Sequence, residues 1–327
     1  MNDTVEAIRS MLRPFPAVRL AAKPTPIGPL DRLSRRLDQG LRAWVMRDDL
    51  TGFGLGGNKI RKLEYLIGDA LARQADTLVV PLASSFSRNA AAAGSAFGLQ
   101  VHVMVAGEEG QHNRLSRDFF AAVGATLHHV GPSEQLPARQ SELVHRLRAD
   151  GGHVLEWHRG GSDTVGTLGY VEAFAEIAAF MAREGVVFDR ILLASGSAAT
   201  QAGLALGRAI GRCQDVHVIG IAISQPAALQ TRRVADLAVE TAGSLGMAFD
   251  PSTVVVDDRY LGDGYPVPSA ASRAAVELLA REEGLVLDPV YAGKAAAALL
   301  AQARDGELRA AANVLLIHTG GNGGAFY

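Results

Sequence analysis

Gly56-Gly57-Asn58-Lys59-Ile60-Arg61-Lys62-Leu63-Glu64-Tyr65-Leu66 decides how the rest of this chain is read. Ile60, Leu63, Leu66, Ile67, Ala70 and Leu71 recur at spacings of three and four, which predicts an amphipathic helix. Two glycines and an asparagine lead into it, so Lys59 stands at its mouth and Lys62 lies one turn further on. A lysine held there can form a Schiff base with an aldehyde, and a helix start can hold an anion. The plainer alternative is a surface lysine at a helix start. A cation in that place opposes the helix dipole, so an opening with Lys59, Arg61 and Lys62 is odd unless an anion lies near.

Around this helix, short apolar runs alternate with longer helical patterns. Candidate strands are 77–82, 101–105, 126–130, 190–194, 216–223 and 314–317. Each is apolar along most of its length, as strands covered on both faces are. Helical patterns run over 170–183, 200–210, 227–245, 270–283 and 293–303. This alternation predicts an α/β fold of mainly parallel sheets with helices on both faces. Ligands bind such sheets at the carboxyl ends of their strands. Four loops there are weighed as sites: 56–62, 83–89, 195–201 and 319–321.

Each of these loops has two readings. Ser195-Gly196-Ser197-Ala198-Ala199-Thr200 joins a strand to a helix with small and hydroxylic residues, which suits a phosphate or an ordinary helix cap. It lacks the Gly-Lys-Ser/Thr ending of a nucleotide-binding loop and the three-glycine dinucleotide spacing. Ser84-Ser85-Phe86-Ser87-Arg88 can cap a helix or hold a carboxylate. Tyr265 and Tyr291, in turn-rich segments, can anchor packing or move protons. No His, Asp or Glu cluster has metal-ligand spacing.

The composition narrows the partners. Of 327 residues, 48% are hydrophobic, enough for a sizeable core, and the formal net charge is −2. No basic block points to nucleic acid or an anionic membrane. The N-terminus has acidic residues early and no apolar segment of the kind an export leader carries, and no run of about 18 apolar residues suggests a membrane span. Cys213 is the single cysteine, which excludes an internal disulfide. The expectation is a soluble, cytoplasmic protein.

These residues together resemble the 1-aminocyclopropane-1-carboxylate deaminase and D-cysteine desulfhydrase family, pyridoxal-phosphate enzymes of the tryptophan-synthase-β fold type. The resemblance runs from Pro24-Thr25-Pro26-Ile27 and Arg47-Asp48-Asp49-Leu50-Thr51-Gly52 through the 56–66 run. It continues through Gly161-Ser162-Asp163, Leu168-Gly169-Tyr170 and Thr200-Gln201-Ala202-Gly203 to Asp288-Pro289-Val290-Tyr291 and His318-Thr319-Gly320-Gly321. It implies two three-layer α/β domains, a large one from 1–58 and 167–327 and a small one from 59–166, with pyridoxal 5'-phosphate between them. It implies Lys59 as the Schiff-base lysine, Asn58 beside it, and Lys62 near the phosphate. Residues Ser195, Gly196, Ser197, Ala198, Ala199 and Thr200 become the phosphate cradle, and Tyr265 and Tyr291 the active-site tyrosines. Anchoring on Arg88 puts Ser84 at the catalytic serine and Ser85 at the asparagine that contacts the cofactor. Phe86 then replaces a polar residue, which predicts a more apolar pocket. Family enzymes are commonly homodimers.

Two positions separate the family's branches. The deaminases resemble one another in a glutamate after Asp-Pro-Val-Tyr, facing the pyridine nitrogen, and in a leucine before the last Gly-Gly. This chain has Ala292 and Thr319, and Thr319 is similar to the desulfhydrases. A carboxylate at the ring nitrogen keeps it protonated and makes the ring a strong electron sink. Ring opening needs that sink, and loss of a thiolate needs it less. The expectation is therefore β-elimination on a small amino acid such as D-cysteine; the alternative is the deaminase, or another lyase, dehydratase or racemase with the same cofactor.

Overall fold

The computed structural model describes residues 2–37, 40–81, 84–107 and 114–321. Ten strands are present among them: β1 (Ile27–Pro29), β2 (Arg42–Arg47), β3 (Thr77–Pro81), β4 (Gln100–Val105), β5 (Thr126–His129), β6 (Val154–Glu156), β7 (Arg190–Ser195), β8 (His217–Ala222), β9 (Val255–Asp257) and β10 (Asn313–His318). They form a six-stranded sheet in the order β1-β2-β10-β7-β8-β9 and a four-stranded sheet in the order β5-β4-β3-β6. Every pairing is parallel except β1 with β2, so the expectation of mainly parallel sheets holds. The register sets Leu315 beside both Trp44 and Ile191.

The central strands of both sheets are covered on both faces, which is why β3, β7 and β10 carry continuous apolar centres. On β7, Ile191 and Leu193 enter one core while Leu192 enters the other. On β10, Leu315 and Ile317 part from Val314 and Leu316 in the same way. In the smaller sheet, Leu78 and Val80 face one core and Val79 the opposite one. Helices α1 (Asn2–Leu12), α2 (Asp31–Ser34), α3 (Lys59–Ala72), α4 (Ser84–Ala96), α5 (Arg114–Ala122) and α6 (Leu136–Ala149) precede the long α7 (Thr164–Glu184). Then come α8 (Ala199–Ile210), α9 (Ala227–Ser244), α10 (Ala270–Glu283) and α11 (Ala292–Arg304).

The expected helix over 60–71 is α3, and its stripe of Ile60, Leu63, Leu66, Ile67 and Ala70 is buried. Leu71, placed on the same stripe, is instead 39% exposed at the helix end. Fully burying side chains of this size contributes ~1.5–3 kcal/mol each. Helix α7 packs close against α3 because Gly169 carries no side chain: a Cβ there would lie 2.3 Å from the Arg61 carbonyl oxygen. By length and composition α7 could cross a membrane, but 72% of its apolar window is buried, as in a core helix.

Candidate active site

The start of α3 is pinned to the end of β10 by two glycines. A Cβ on Gly57 would sit 3.0 Å from the Thr319 carbonyl oxygen, and one on Gly320 would sit 2.6 Å from the Gly57 Cα. Asn58 N–H donates to the Thr319 carbonyl at 2.9 Å. This close approach sets Lys59, the first residue of α3, at the wall of a cleft of about 850 Å³ between the ends of β7, β8 and β10 and the start of α4.

Lys59 Nζ donates to Asn58 Oδ1 at 3.0 Å, and Asn58 Nδ2 donates to Thr200 Oγ1 at 3.0 Å. A short polar chain thus links the starts of α3 and α8. Burial without a neighbouring carboxylate pushes the Lys59 ammonium down to about 8. Its amine is therefore far more available as a neutral nucleophile or base near neutral pH than an ordinary lysine.

The other two cations of the run are disposed differently. Arg61 is fully buried and bonded to Asp48 at 2.9 and 3.0 Å, to Glu176 at 2.8 and 2.9 Å, and to the Thr25 hydroxyl at 2.7 Å. The Tyr170 hydroxyl donates to the same Asp48. The anion the sequence demanded for Arg61 is supplied by the protein itself. Lys62 is also fully buried and donates to the Gly160 carbonyl at 3.3 Å, behind the cleft wall. Burial and the neighbouring Lys59 hold its ammonium well below the ordinary lysine value.

The 195–200 segment turns β7 into α8. Gly196, Ser197, Ala198 and Thr200 line the cleft. Ala198 has φ +81° immediately before the helix, a conformation costly for any residue with a Cβ. Ala198 offers no side-chain cap to α8, which leaves N–H groups of its first turn beyond Ala199 for an anion in the cleft. Ala199 is buried outside the cleft lining, and its N–H donates to Ser162 Oγ at 3.1 Å. Ser162 Oγ in turn donates to the Ser197 carbonyl. Ser195 reaches the cleft wall, but its hydroxyl donates to Gln201 Oε1 at 2.6 Å and accepts from Gln230 Nε2 at 2.9 Å.

At the start of α4, Ser85 and Arg88 line the cleft. The Ser84 backbone begins the helix, and its side chain lies outside the described residues. Burial lowers the Arg88 guanidinium from its ordinary value. Phe86 corrects the sequence reading. It is fully buried in the core of the smaller sheet, with Trp157 at 6.3 Å between ring centroids, and it does not line the cleft. The more apolar pocket inferred from it is absent from the described cleft wall. Helix phase explains the difference: Phe86, Ala90 and Ala93 share the core stripe, while Ser85 and Arg88, three apart, share the cleft side.

The opposite wall carries the tyrosines. Tyr265 and Tyr291 line the cleft with ring centroids 5.7 Å apart, edge to face, and Tyr265 is 43% exposed. Thr319 is beside them on the lining, half-buried. Asp288 is the one carboxylate lining the cleft among the described residues. Its Oδ1 accepts from the N–H groups of Val290 at 2.9 Å and Tyr291 at 2.6 Å, and its Oδ2 from Ala292 at 3.1 Å. Burial raises its pKa from the ordinary value even so. Ala292 itself is fully buried.

Of the sequence-predicted site residues, Asn58, Lys59, Ser85, Ser195, Gly196, Ser197, Ala198, Thr200, Tyr265, Tyr291 and Thr319 meet at this cleft. Lys62 and Ala199 stand behind it. Sequence reasoning did not single out Ser162, Arg88 or Asp288 for roles, although each lies in a quoted motif. A serine following Gly160-Gly161 was the available signal for Ser162.

A family model described as pyridoxal-phosphate dependent enzyme matches residues 18–320. The D-cysteine desulfhydrase of Yersinia enterocolitica is 38% identical over 327 residues, covering 96% of this chain and 96% of that protein. A solved structure described as an ACC deaminase homologue has a TM-score of 0.86 at 35% identity, covering 98% of this chain and 96% of its own. O-ureido-L-serine synthase shares the fold, with a TM-score of 0.68 at 19% identity over 93% of this chain and 90% of its own. The match spans both sheets and every wall of the Lys59 cleft, and it shows that this chain belongs to the pyridoxal-phosphate dependent enzyme family.

Proposed function

We propose that this enzyme is a β-eliminating lyase acting on a small amino acid such as D-cysteine. Its cofactor is pyridoxal 5'-phosphate, and the residues of the cleft fit that group. An amine of lowered pKa stands on the cavity wall at Lys59, and the first turn of α8 beyond Ala199, entered through Ala198 at positive φ, offers N–H groups to a phosphate. Lys59 would carry the cofactor, and Gly196, Ser197, Ala198 and Thr200 would hold its phosphate. Ser195 and Ala199 support that loop from behind through Gln201 and Ser162, and Lys62, held on the Gly160 carbonyl, would stand near the phosphate. Thr319, Asn58 and Ser85, all on the cleft lining, would be the neutral partners of the cofactor ring. When bound, the cofactor joins a substrate amine and draws electrons from the adjacent carbon.

The chain's own groups then do the rest. The Lys59 amine takes the proton from the substrate α-carbon, which its lowered pKa favours. Arg88 and the start of α4, with Ser84 and Ser85, receive the substrate carboxylate. The hydroxyl of Tyr265 or Tyr291 gives a proton to the departing group. D-cysteine and water would yield pyruvate, ammonia and hydrogen sulfide.

The observation that carries elimination over ring opening is the carboxylate content of the cleft lining, where Asp288 stands alone among the described residues. Ala292 is a buried methyl, and Asp288 has its oxygens committed to three backbone N–H groups. No free carboxylate lines the described cleft to keep a ring nitrogen protonated. The likeness to an ACC deaminase homologue keeps ring opening as the second reading. The test is a parallel assay of sulfide from D-cysteine and 2-oxobutanoate from 1-aminocyclopropane-1-carboxylate. Faster 2-oxobutanoate formation reverses the choice.

We infer further that 59–166 forms a small lobe and 1–58 with 167–327 a large one. The four-stranded sheet lies wholly within the first span. The homodimer rests on the family resemblance, and light scattering tests it. A cytoplasmic setting suits the single Cys213.

A further inference from the structure

Lys294 is the third residue of α11 and is fully buried, and it does not line the cleft. Its place is an unfavourable one for a lysine. A cation in the first turn opposes the helix dipole, and burial strips its hydration. No carboxylate lies within ion-pair distance of it among the described residues; the exposed Asp263 acts on it only from further away. What Nζ does have is two backbone acceptors, the carbonyls of Leu261 at 2.8 Å and Gly264 at 3.0 Å.

Those carbonyls belong to the turn that leads into Tyr265. Gly262 and Gly264 both take positive φ, +60° and +89°, so the turn is built from the residues least able to hold themselves in place. Tyr265 is partly exposed and packs edge to face against the Tyr291 ring on the cleft wall. Tyr291 directly precedes α11, the helix that carries Lys294.

We propose that Lys294 is a positioning residue that ties the 261–264 turn to the start of α11 and so keeps Tyr265 against Tyr291 at the cleft. It touches neither substrate nor cofactor; it acts through Tyr265. The inference rests on the reading that one of these tyrosines serves as proton donor, and its physical core, the tether, can be measured apart from that reading.

The experiment uses the holoenzyme and three variants: Lys294→Met, Tyr265→Phe and the double variant. Lys294→Met is expected to keep the bound-cofactor absorbance. Amide exchange over 261–267 should rise about tenfold or more, with exchange in α3 and α8 unchanged. Turnover with a β-eliminating substrate should fall as far as in Tyr265→Phe, at least about tenfold, with a smaller change in KM. The double variant should be no slower than Tyr265→Phe alone. Unchanged exchange over 261–267, or a double variant whose loss is the product of the single losses, overturns the proposal. If Tyr265→Phe retains full turnover, the reading of Tyr265 as proton donor fails, and the exchange measurement alone decides the tether. Should Lys294→Met not fold, Lys294→Gln, too short to reach both carbonyls, is judged by the same readouts.

Discussion

Lys59 is the residue on which the chemistry turns, and its ionisation carries a stability consequence. In the unfolded chain its amine keeps a proton up to the ordinary value of 10.5, while in the folded protein it releases it near 8. Between those values the unfolded state binds more protons, so stability rises with pH across that window; below about 8 the full penalty of burying the charge is present. Cofactor-free Lys59→Met should therefore be more stable than the cofactor-free parent at pH 7, by no more than ~3 kcal/mol. The gap should close as pH climbs from 8 towards 10.5, which denaturant titrations at several pH values would show. A constant gap would mean that the amine is not desolvated. Arg88 makes a second prediction. If it receives the substrate carboxylate, Arg88→Met should raise KM about 10–100-fold while kcat changes little. Steady-state kinetics check this, and an unaltered KM removes Arg88 from the site.

Among the elements, α4 and the α3–β10 junction test the account best. Phe86 sits on the core stripe of α4, so Phe86→Ala should cost ~3–5 kcal/mol of stability. The relative rates on different amino acids should stay the same, and a shift in substrate preference would place the ring in the pocket after all. Phe86, Ala90 and Ala93 recur at helical spacing in the sequence, and that phase, not the place of Phe86 in the motif, decides where its ring goes. At the junction, Gly320→Ala would drive a Cβ towards the Gly57 Cα at a φ of +99°. It should cost ~2–4 kcal/mol and weaken cofactor retention together; loss of neither in calorimetry and absorbance would mean that the close approach does not matter. Strands of five or six residues with an unbroken apolar centre, such as β3, β7 and β10, were legible because burial on both faces leaves a continuous signal. β1, β6 and β9 were not, since three residues carry no period. β2 was not legible either, because arginines at both ends hide its buried centre.

For the whole molecule, the fold and most of the site were legible because the cleft lies where strand ends from one sheet meet a helix start belonging to the other, and each such loop is marked by small or hydroxylic residues. What remained hidden was which partner each charged group would find. The Lys59-Arg61-Lys62 run announced three cations, but the sequence could not show that Asp48 and Glu176 answer Arg61, or that Lys62 faces a carbonyl. Those pairings join residues as much as 115 positions apart and depend on the packing of α7 on α3. The central claim is that the cofactor is joined to the chain at Lys59. Borohydride reduction of the yellow holoenzyme, followed by peptide mass spectrometry, tests it most directly. The account predicts the reduced cofactor on the peptide bearing Lys59 and on no other lysine; finding it on Lys62 or Lys294, or finding no modified peptide, would contradict it.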